Sequence, residues 1–339
     1  MLRAALFLFG LLTFSGLLWH IGLSRILEAV EDLGAFTVPI ILVPSLLMYA
    51  LEAFGWRLTL GEYGRQISFN RIFAIRTAGE VVNMTTPTAY IGGEPLKAYM
   101  LSRYGVPLVV AMASVVTAKT TMTLAEGLFV VVGLVLTFVA MGVGRAGLPG
   151  AMESSVIIAV TLLLVGTLAL VILQRRGLFA GLLGLLRRLR VRVRFLESRE
   201  AKLMALDRAI KDFYEQDRRR FYLSIMLFFL GWLAEALEVY AILFCLGPPP
   251  GAAVSISIGA LAVLIKGGTF FIPGSIGAQE AGNVMLLAAY GYSDLDGITF
   301  ALLRRIRELV WIASGLICLA ALGGFKAVSA GDAKTSEAP

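Results

Sequence analysis

Apolar residues in this chain are grouped in long runs rather than in the narrow stripes of an amphipathic helix. Six runs reach or approach the ~20 residues that a helix needs to cross a bilayer. They cover residues 4–23, 36–56, 115–141, 156–173, 221–246 and 298–322. This pattern predicts an all-α polytopic membrane protein with about six full spans. The first run is longer than the ~7–15 apolar residues of a signal peptide, so we expect it to remain as an anchor.

Two further segments, 71–104 and 252–290, are broken by glycine, proline and charged residues, and their second legs are too short to span. Each predicts a re-entrant hairpin, in which a helix, a broken turn and a half-helix enter and leave the membrane on one side. Such a backbone is tolerated at membrane depth only where protein or an aqueous cavity surrounds it. The glycine, proline and charged residues around the two breaks include Pro87, Gly92, Gly93, Glu94 and Lys97 in the first hairpin, and Pro273, Gly277 and Glu280 in the second.

An offset of 186 residues aligns the two hairpins and their flanking runs. It places Pro87 on Pro273, Glu94 on Glu280, Lys119 on Arg305 and Glu52 on Glu238. The pattern predicts two repeats, about 1–142 and 154–325, within one transmembrane domain of residues 1–325, followed by a disordered tail at 326–339. Because three full spans lie in the first repeat, the second begins on the opposite side of the membrane. The two hairpins are therefore expected to be oppositely oriented, as in the inverted repeats of many transporters.

Composition and charge agree with a membrane protein and orient it. The chain is 58% apolar with 16% charged residues, against roughly 25% charged in soluble domains, and its mean hydropathy is +0.83. Basic residues far outnumber acidic ones in segment 175–220, which the positive-inside rule places in the cytoplasm together with both termini. This segment is either a pair of amphipathic helices on an anionic inner leaflet or a solvated loop that only sets orientation.

The sequence offers no metal-binding or nucleophilic pattern. Its two cysteines, Cys245 and Cys318, lie inside apolar runs, which argues against a disulfide, and His20 is the only histidine. No Cys, His or carboxylate cluster has metal-ligand spacing. We therefore expect no metal, no cofactor and no nucleic-acid partner, and the net charge of +7 is assigned to topology.

An ionisable residue at the centre of a transmembrane helix raises the free energy of membrane insertion by about 2.5–3.5 kcal/mol. This chain nevertheless has many such residues inside its apolar runs. Lys119 and Glu126 are seven apart and share a helix face. Such residues either pair internally and lock helices together, or bind a ligand beside the broken helices, whose free N–H groups suit an anion. Besides the hairpin positions, the candidates are Glu52, Lys119, Glu126, Glu238, Arg304, Arg305 and Glu308.

The stretches TTPTAYIGGEPLKAYMLSRYGVP and FFIPGSIGAQEAGNVMLLAAYG, followed by ALLRRIRELVW, resemble the flippase-like membrane domain at the N-terminus of lysylphosphatidylglycerol synthases. The amino-acid sequences of the first and last stretches most resemble those of stand-alone members associated with hopanoid biosynthesis. The resemblance implies a bacterial inner-membrane protein that moves a lipid between leaflets. In the synthases a soluble domain transfers the lysyl group. We see no such domain after the membrane domain in this sequence, so we do not expect lysyl transfer.

Three functions remain open at this point. The first is a transporter or flippase that holds the headgroup of an anionic lipid or lipid-linked precursor between the two hairpins; a phospholipid, a polyisoprenyl phosphate or a hopanoid-type lipid would fit. The second is a non-catalytic scaffold that docks lipid-biosynthesis enzymes through segment 175–220. The third is an intramembrane lipid-modifying enzyme with Glu94 or Glu280 as acid or base, disfavoured because no nucleophile beside a base is evident. We expect a non-enzyme.

Overall fold

The computed structural model describes residues 36–86, 92–141, 150–188, 199–269 and 277–322, with Trp19, Ser24, Gly34 and Ser275. These parts of the chain form helices and turns, with no strand among them. Apart from Trp19, the first predicted span lies outside the described residues, as do His20, Pro87, Pro273 and the 326–339 tail. The helices are α1 Thr37–Thr59, α2 Tyr63–Gln66, α3 Phe69–Thr85, α4 Gly93–Ser102, α5 Leu108–Met141, α6 Gly150–Arg176, α7 Leu178–Arg188, α8 Glu200–Gln216, α9 Arg218–Leu246, α10 Ala252–Gly268, α11 Ala278–Ala289 and α12 Asp294–Ala321.

Three of the described helices are long and apolar enough to cross a bilayer: α1, residues Leu108–Thr137 of α5, and α9. Residues Val160–Arg176 of α6 pass the same test only together with α7, from which an 87° bend separates them. Helix α12 is 28 residues long, but Arg304, Arg305, Arg307 and Glu308 interrupt its apolar character. The all-helical, multi-span class is thereby confirmed, while the count of six full spans stays a prediction.

Both predicted hairpins contain a break between two helices. Helix α3 ends at Thr85 and α4 begins at Gly93, while α10 ends at Gly268 and α11 begins after Gly277. Gly277 has a φ of +78°, a left-handed conformation that side chains other than glycine rarely adopt. The second legs are only 10 and 12 residues long, which at 1.5 Å per residue is about half of a bilayer core.

The helix boundaries follow the 186-residue offset. Adding 186 to the first residue of α5 gives the first residue of α12, and the same shift brings α4 within one residue of α11 at each end. Packing follows it as well. Helix α3 packs on α12 and its counterpart α10 packs on α5, so each hairpin contacts the long helix of the other repeat. Helices α1 and α9, which are also counterparts, pack along each other at the centre.

Glycines on the two long helices permit this exchanged packing. A Cβ added at Gly133 of α5 would lie 2.1 Å from the Ala260 Cβ of α10, and one at Gly315 of α12 would lie 2.7 Å from the Val81 Cβ of α3. Real Cβ atoms do not approach so closely, so each glycine lets a hairpin helix approach its partner's backbone. Close approach through small residues is a usual basis of helix association in membranes.

We therefore expect Gly133→Ala to destabilise the fold by about 1–3 kcal/mol, the typical cost of overpacking a core. The measurement is the thermal unfolding midpoint in detergent. Gly166→Ala is the matched control, since a Cβ at this exposed position of α6 meets nothing within 4 Å. Alanine there should be neutral or stabilise the helix by about 0.5–1 kcal/mol. Equal midpoints for the two variants would contradict this account of the α5–α10 contact.

Within the basic segment predicted at 175–220, the structure describes helices α7 and α8, of which α7 bends away from α6 by 87°. Gly177, with a φ of +94°, makes the bend, and the buried Asp207 of α8 accepts hydrogen bonds from the first backbone N–H groups of α7, Phe179 N at 3.1 Å and Ala180 N at 2.8 Å. Burial raises the pKa of Tyr214 to about 12, so its hydroxyl remains protonated and donates to Gln174 Oε1 at 2.5 Å. These contacts fix α8 against α6.

Candidate functional site

A cavity of about 290 Å³ lies between the two repeats. Its wall is built by α1, α3 and α5 of the first repeat and by α9, α10 and α12 of the second. The volume is near the lower end of the ~300–1,000 Å³ typical of small-molecule sites. A smaller cavity of about 30 Å³ adjoins it, and both are lined by Glu52, Arg76, Glu80, Lys119 and Met122.

The wall of the larger cavity combines charged, aromatic and methionine side chains. The charged residues are four cations, Arg76, Lys119, Lys266 and Arg307, and five anions, Glu52, Glu80, Glu126, Glu235 and Glu308. The aromatic residues are Tyr49, Trp232 and Trp311, and the methionines are Met48, Met84 and Met122. Because both repeats contribute charges, the cavity is the place where the two sets of intramembrane ionisable residues meet.

Ion pairs between helices neutralise most of these charges. Arg76 of α3 pairs with Glu52 of α1. On the opposite wall, Arg307 Nη1 of α12 donates to Glu238 Oε2 of α9 at 2.8 Å, and Arg304 pairs with Glu235. All six side chains are buried. The pairs therefore attach α3 to α1 and α12 to α9, as the helix-locking interpretation of these residues predicts.

The first hairpin is closed by its own polar network. Asn83 near the end of α3 accepts from the backbone N–H of Gly93 at 2.7 Å and donates to Glu94 Oε1 at 3.0 Å. Lys97 Nζ lies 3.0 Å from Glu94 Oε1 and 3.5 Å from Glu80 Oε2. Gly93 is needed here, because a Cβ would lie 1.9 Å from the carbonyl oxygen of Gly79. Glu94 and Lys97 thus hold the hairpin closed and line the smaller cavity.

The second hairpin is attached to α12 through Arg305. Its guanidinium donates to Glu280 Oε1 and to Glu308 Oε2, both at 2.6 Å, and to the carbonyl oxygen of Ser275 at 3.1 Å. Glu308 also accepts from Lys266 Nζ of α10 at 3.2 Å. Arg305 therefore joins α12 to the break between α10 and α11 and to the start of α11. The 186-residue offset makes Arg305 the counterpart of Lys119 in the first repeat.

Lys119 and Glu126 differ from the other charged residues of the wall. Within the described part of the chain, neither has an ion-pair or hydrogen-bond partner for its charged group. Both lie on α5, are half-buried and line the cavity. Two buried arginines of the wall also keep N–H groups without an acceptor there, Arg76 Nη1 and Arg307 Nε. The cavity thus presents the unpaired side chains of one lysine and one glutamate.

The predicted site residues that the structure describes fall into three groups: those that line a cavity, those that form structural contacts, and two glycines at helix starts. Glu52, Lys119, Glu126 and Glu308 line the larger cavity, and Glu94 and Lys97 line the smaller one. Five form structural contacts around the hairpins and helices: Gly93, Glu238, Glu280, Arg304 and Arg305. Gly92 and Gly277 lie at the starts of α4 and α11.

Five charged cavity residues were not among the predicted site residues: Arg76, Glu80, Glu235, Lys266 and Arg307. Each is an ionisable residue within a predicted span or hairpin leg, the same signal that identified the others. The repeat also connects two of them, since the 186-residue offset places Glu80 on Lys266. Trp232 and Trp311 carry no such signal, because an aromatic residue in an apolar run most often packs in the core or at the lipid interface.

Comparisons with known proteins agree with these observations. The family described as lysylphosphatidylglycerol synthase TM region matches residues 2–316. The chain is also similar to a UPF0104 membrane protein of Methanothermobacter thermautotrophicus, at 24% identity over 326 residues that cover 92% of this chain and 93% of the relative. No solved structure matches significantly. The resemblance to hopanoid-associated members stays a prediction. Because the family match covers nearly the whole sequence, this multi-pass membrane protein belongs to the lysylphosphatidylglycerol synthase transmembrane-region family.

Proposed function

We propose that this protein is a lipid transporter that moves a lipid with a phosphate-bearing headgroup, or a lipid-linked precursor, between membrane leaflets. The observation that carries the proposal is the cavity between the repeats, where the unpaired Lys119 lies in the same wall as the buried arginines Arg76 and Arg307. A phosphate oxygen is an acceptor that suits such cationic donors. The acyl chains would remain in the surrounding lipid while the headgroup occupies the cavity.

The exchanged packing of the hairpins supports an alternating-access mechanism. In the proposal, α3–α4 and α10–α11 are re-entrant hairpins that enter from opposite sides of the membrane, as in inverted-repeat transporters. Each contacts the long helix of the other repeat, so a shift of one hairpin is transmitted to the wall of the shared cavity. The protein acts as a carrier and not as an enzyme, in a bacterial inner membrane with both termini in the cytoplasm.

Cysteine accessibility tests the opposed orientation of the hairpins. Gly92→Cys and Ala278→Cys would be introduced singly after replacing Cys245 and Cys318 by alanine. With a membrane-impermeant thiol reagent applied to right-side-out and inverted vesicles, we expect position 92 to react from one side and position 278 from the other. Reaction of both from the same side only would rule out the inverted arrangement.

Reconstitution tests transport itself. Vesicles with and without the protein would carry one acyl-labelled lipid of each class: a zwitterionic phospholipid, an anionic phospholipid and a polyisoprenyl phosphate. Chemical quenching of the outer-leaflet label gives the rate of leaflet exchange. The proposal predicts that the protein accelerates exchange of at least one phosphate-bearing lipid, and equal rates with and without protein across the panel would overturn it.

A further inference from the structure

The charge balance of the cavity does not fit a purely anionic headgroup. The wall has five anions and four cations, and most of the cations are already neutralised by glutamates. Arg76 pairs with Glu52, Lys266 with Glu308, and Arg307 with Glu238. Of the nine charged residues of the wall, only Lys119 and Glu126 lack an ion pair within the described part of the chain, and they have opposite signs.

The two free charges are arranged to act on one ligand. They are seven residues apart on α5, so they share a helix face and are separated by about 10.5 Å along the axis. Because both side chains line the same cavity, one ligand several ångströms long can contact both. A lone unpaired carboxylate in a membrane protein is costly, so a ligand that supplies a cation beside Glu126 would bind more strongly than one that does not.

The rest of the wall also suits an organic cation. Trp232 and Trp311 line the same cavity. Tyr49 lines it as well, but its ring is stacked on Trp311, with centroids 3.7 Å apart, and has the Arg76 guanidinium 4.6 Å from its centroid, so the two tryptophans are the rings offered to a ligand. Aromatic faces attract ammonium groups through the ring quadrupole. Trp232 Nε1 is buried and has no acceptor within the described residues.

We propose that the cavity binds a net-neutral lipid headgroup that contains both a phosphate and a primary ammonium. Lys119 binds the phosphate, and Glu126 accepts hydrogen bonds from the ammonium. The inference deepens the proposed lipid transport, on which it rests, by naming the headgroup class. Glu126 is then the specificity-determining residue, because phosphate is shared by most phospholipids and the ammonium is not.

Binding in detergent tests this assignment without requiring transport. The protein would be titrated with dihexanoyl-phosphatidylethanolamine and with dihexanoyl-phosphatidylglycerol, and binding would be followed by intrinsic tryptophan fluorescence. Both lipids carry the phosphate, but only the first has an ammonium group. We expect the first to bind about tenfold or more tightly, because a hydrogen bond to a charged group contributes about 1.5–3 kcal/mol. In Glu126→Gln, which keeps the side-chain shape, the ratio of dissociation constants should fall to about one.

Two controls make the result decisive. Glu62→Gln, at an exposed position beyond α1, should keep the wild-type ratio. Free phosphoethanolamine, which has no acyl chains, should bind at least tenfold more weakly than its lipid form; similar affinities would overturn the assignment of a lipid as the ligand.

Equal binding of the two lipids to the wild type, an unchanged preference in Glu126→Gln, or binding of neither lipid would overturn the inference. A clear preference in detergent together with no exchange in vesicles would support the binding site and contradict the transport proposal. The two proposals can therefore fail separately.

Discussion

Arg307→Gln is expected to destabilise the protein by about 3–5 kcal/mol, the typical cost of removing one partner from a buried ion pair. Arg307 is 4% exposed and its partner Glu238 is fully buried. Without the guanidinium, the one cation that Glu238 keeps among the described residues is Arg304, whose Nε lies 4.0 Å away, so a carboxylate in the protein interior is left nearly uncompensated. The helix contact between α9 and α12 should weaken, and the thermal unfolding midpoint in detergent measures the loss.

An exposed pair of the same chemistry supplies the control. Arg187 Nη2 lies 2.6 Å from Glu200 Oε2, and the Arg187 side chain is 62% exposed. Arg187→Gln should change stability by no more than about 1 kcal/mol, because water screens surface pairs. The double substitution Arg307→Met with Glu238→Met should regain most of the lost stability, since no unpaired charge remains. A midpoint for Arg307→Gln equal to that of Arg187→Gln would contradict the locking role.

Lys119→Gln is expected to have the opposite profile, with the fold retained and transport reduced by about tenfold or more. Lys119 has no ion-pair partner in the described part of the chain, so its removal leaves no glutamate stranded by a lost pair. If it holds the headgroup phosphate, the variant loses a charge-assisted hydrogen bond of about 1.5–3 kcal/mol. The rate of leaflet exchange in reconstituted vesicles and the unfolding midpoint are measured on the same preparation.

Lys202→Gln is the matched control for this substitution, because Lys202 is exposed on α8 and far from the cavity wall. It should leave both the exchange rate and the midpoint at wild-type values. A Lys119→Gln protein that exchanges lipid at the wild-type rate would show that the free cation does not bind the transported headgroup. A large fall in its midpoint would instead assign Lys119 to the fold.

Lys119 and Arg305 occupy equivalent positions in the two repeats and are used differently. Arg305 joins Glu280 to Glu308 and closes the second hairpin onto α12, whereas Lys119 is not paired with Glu94, the counterpart of Glu280. Arginine can bridge two carboxylates with its planar fork of donors, and lysine has a single charged nitrogen. The first repeat closes its hairpin through Lys97 instead, which leaves Lys119 available to a ligand.

Much of the local structure could be predicted from sequence because it depends on residues close together in the chain. Apolar runs located α1, α5 and α9, and glycine with charged residues located both hairpin breaks. Seven-residue spacing was enough to place Lys119 and Glu126 on one face, and both do line the cavity.

The ion-pair partners could not be predicted in this way. Arg304, Arg305 and Arg307 lie within four residues, yet they pair with Glu235, Glu280 and Glu238 on two other helices. Spacing gives the direction of a side chain around its own helix but not the neighbouring helix that it meets. For the same reason, the repeat offset indicated equivalent positions without showing that each hairpin packs on the other repeat's long helix.

The central claim, that a lipid headgroup passes through the cavity between the repeats, is tested most directly by blocking that cavity. Met122 lies on α5 between Lys119 and Glu126 and lines both cavities. In a protein with Cys245 and Cys318 replaced by alanine, Met122→Cys would be labelled with a bulky methanethiosulfonate, and Leu128→Cys, at an exposed position of the same helix, would be labelled as the control. The account predicts that labelling at 122 lowers lipid exchange to the protein-free rate, while labelling at 128 leaves it unchanged. Complete labelling at 122, verified by mass, with undiminished exchange would contradict it.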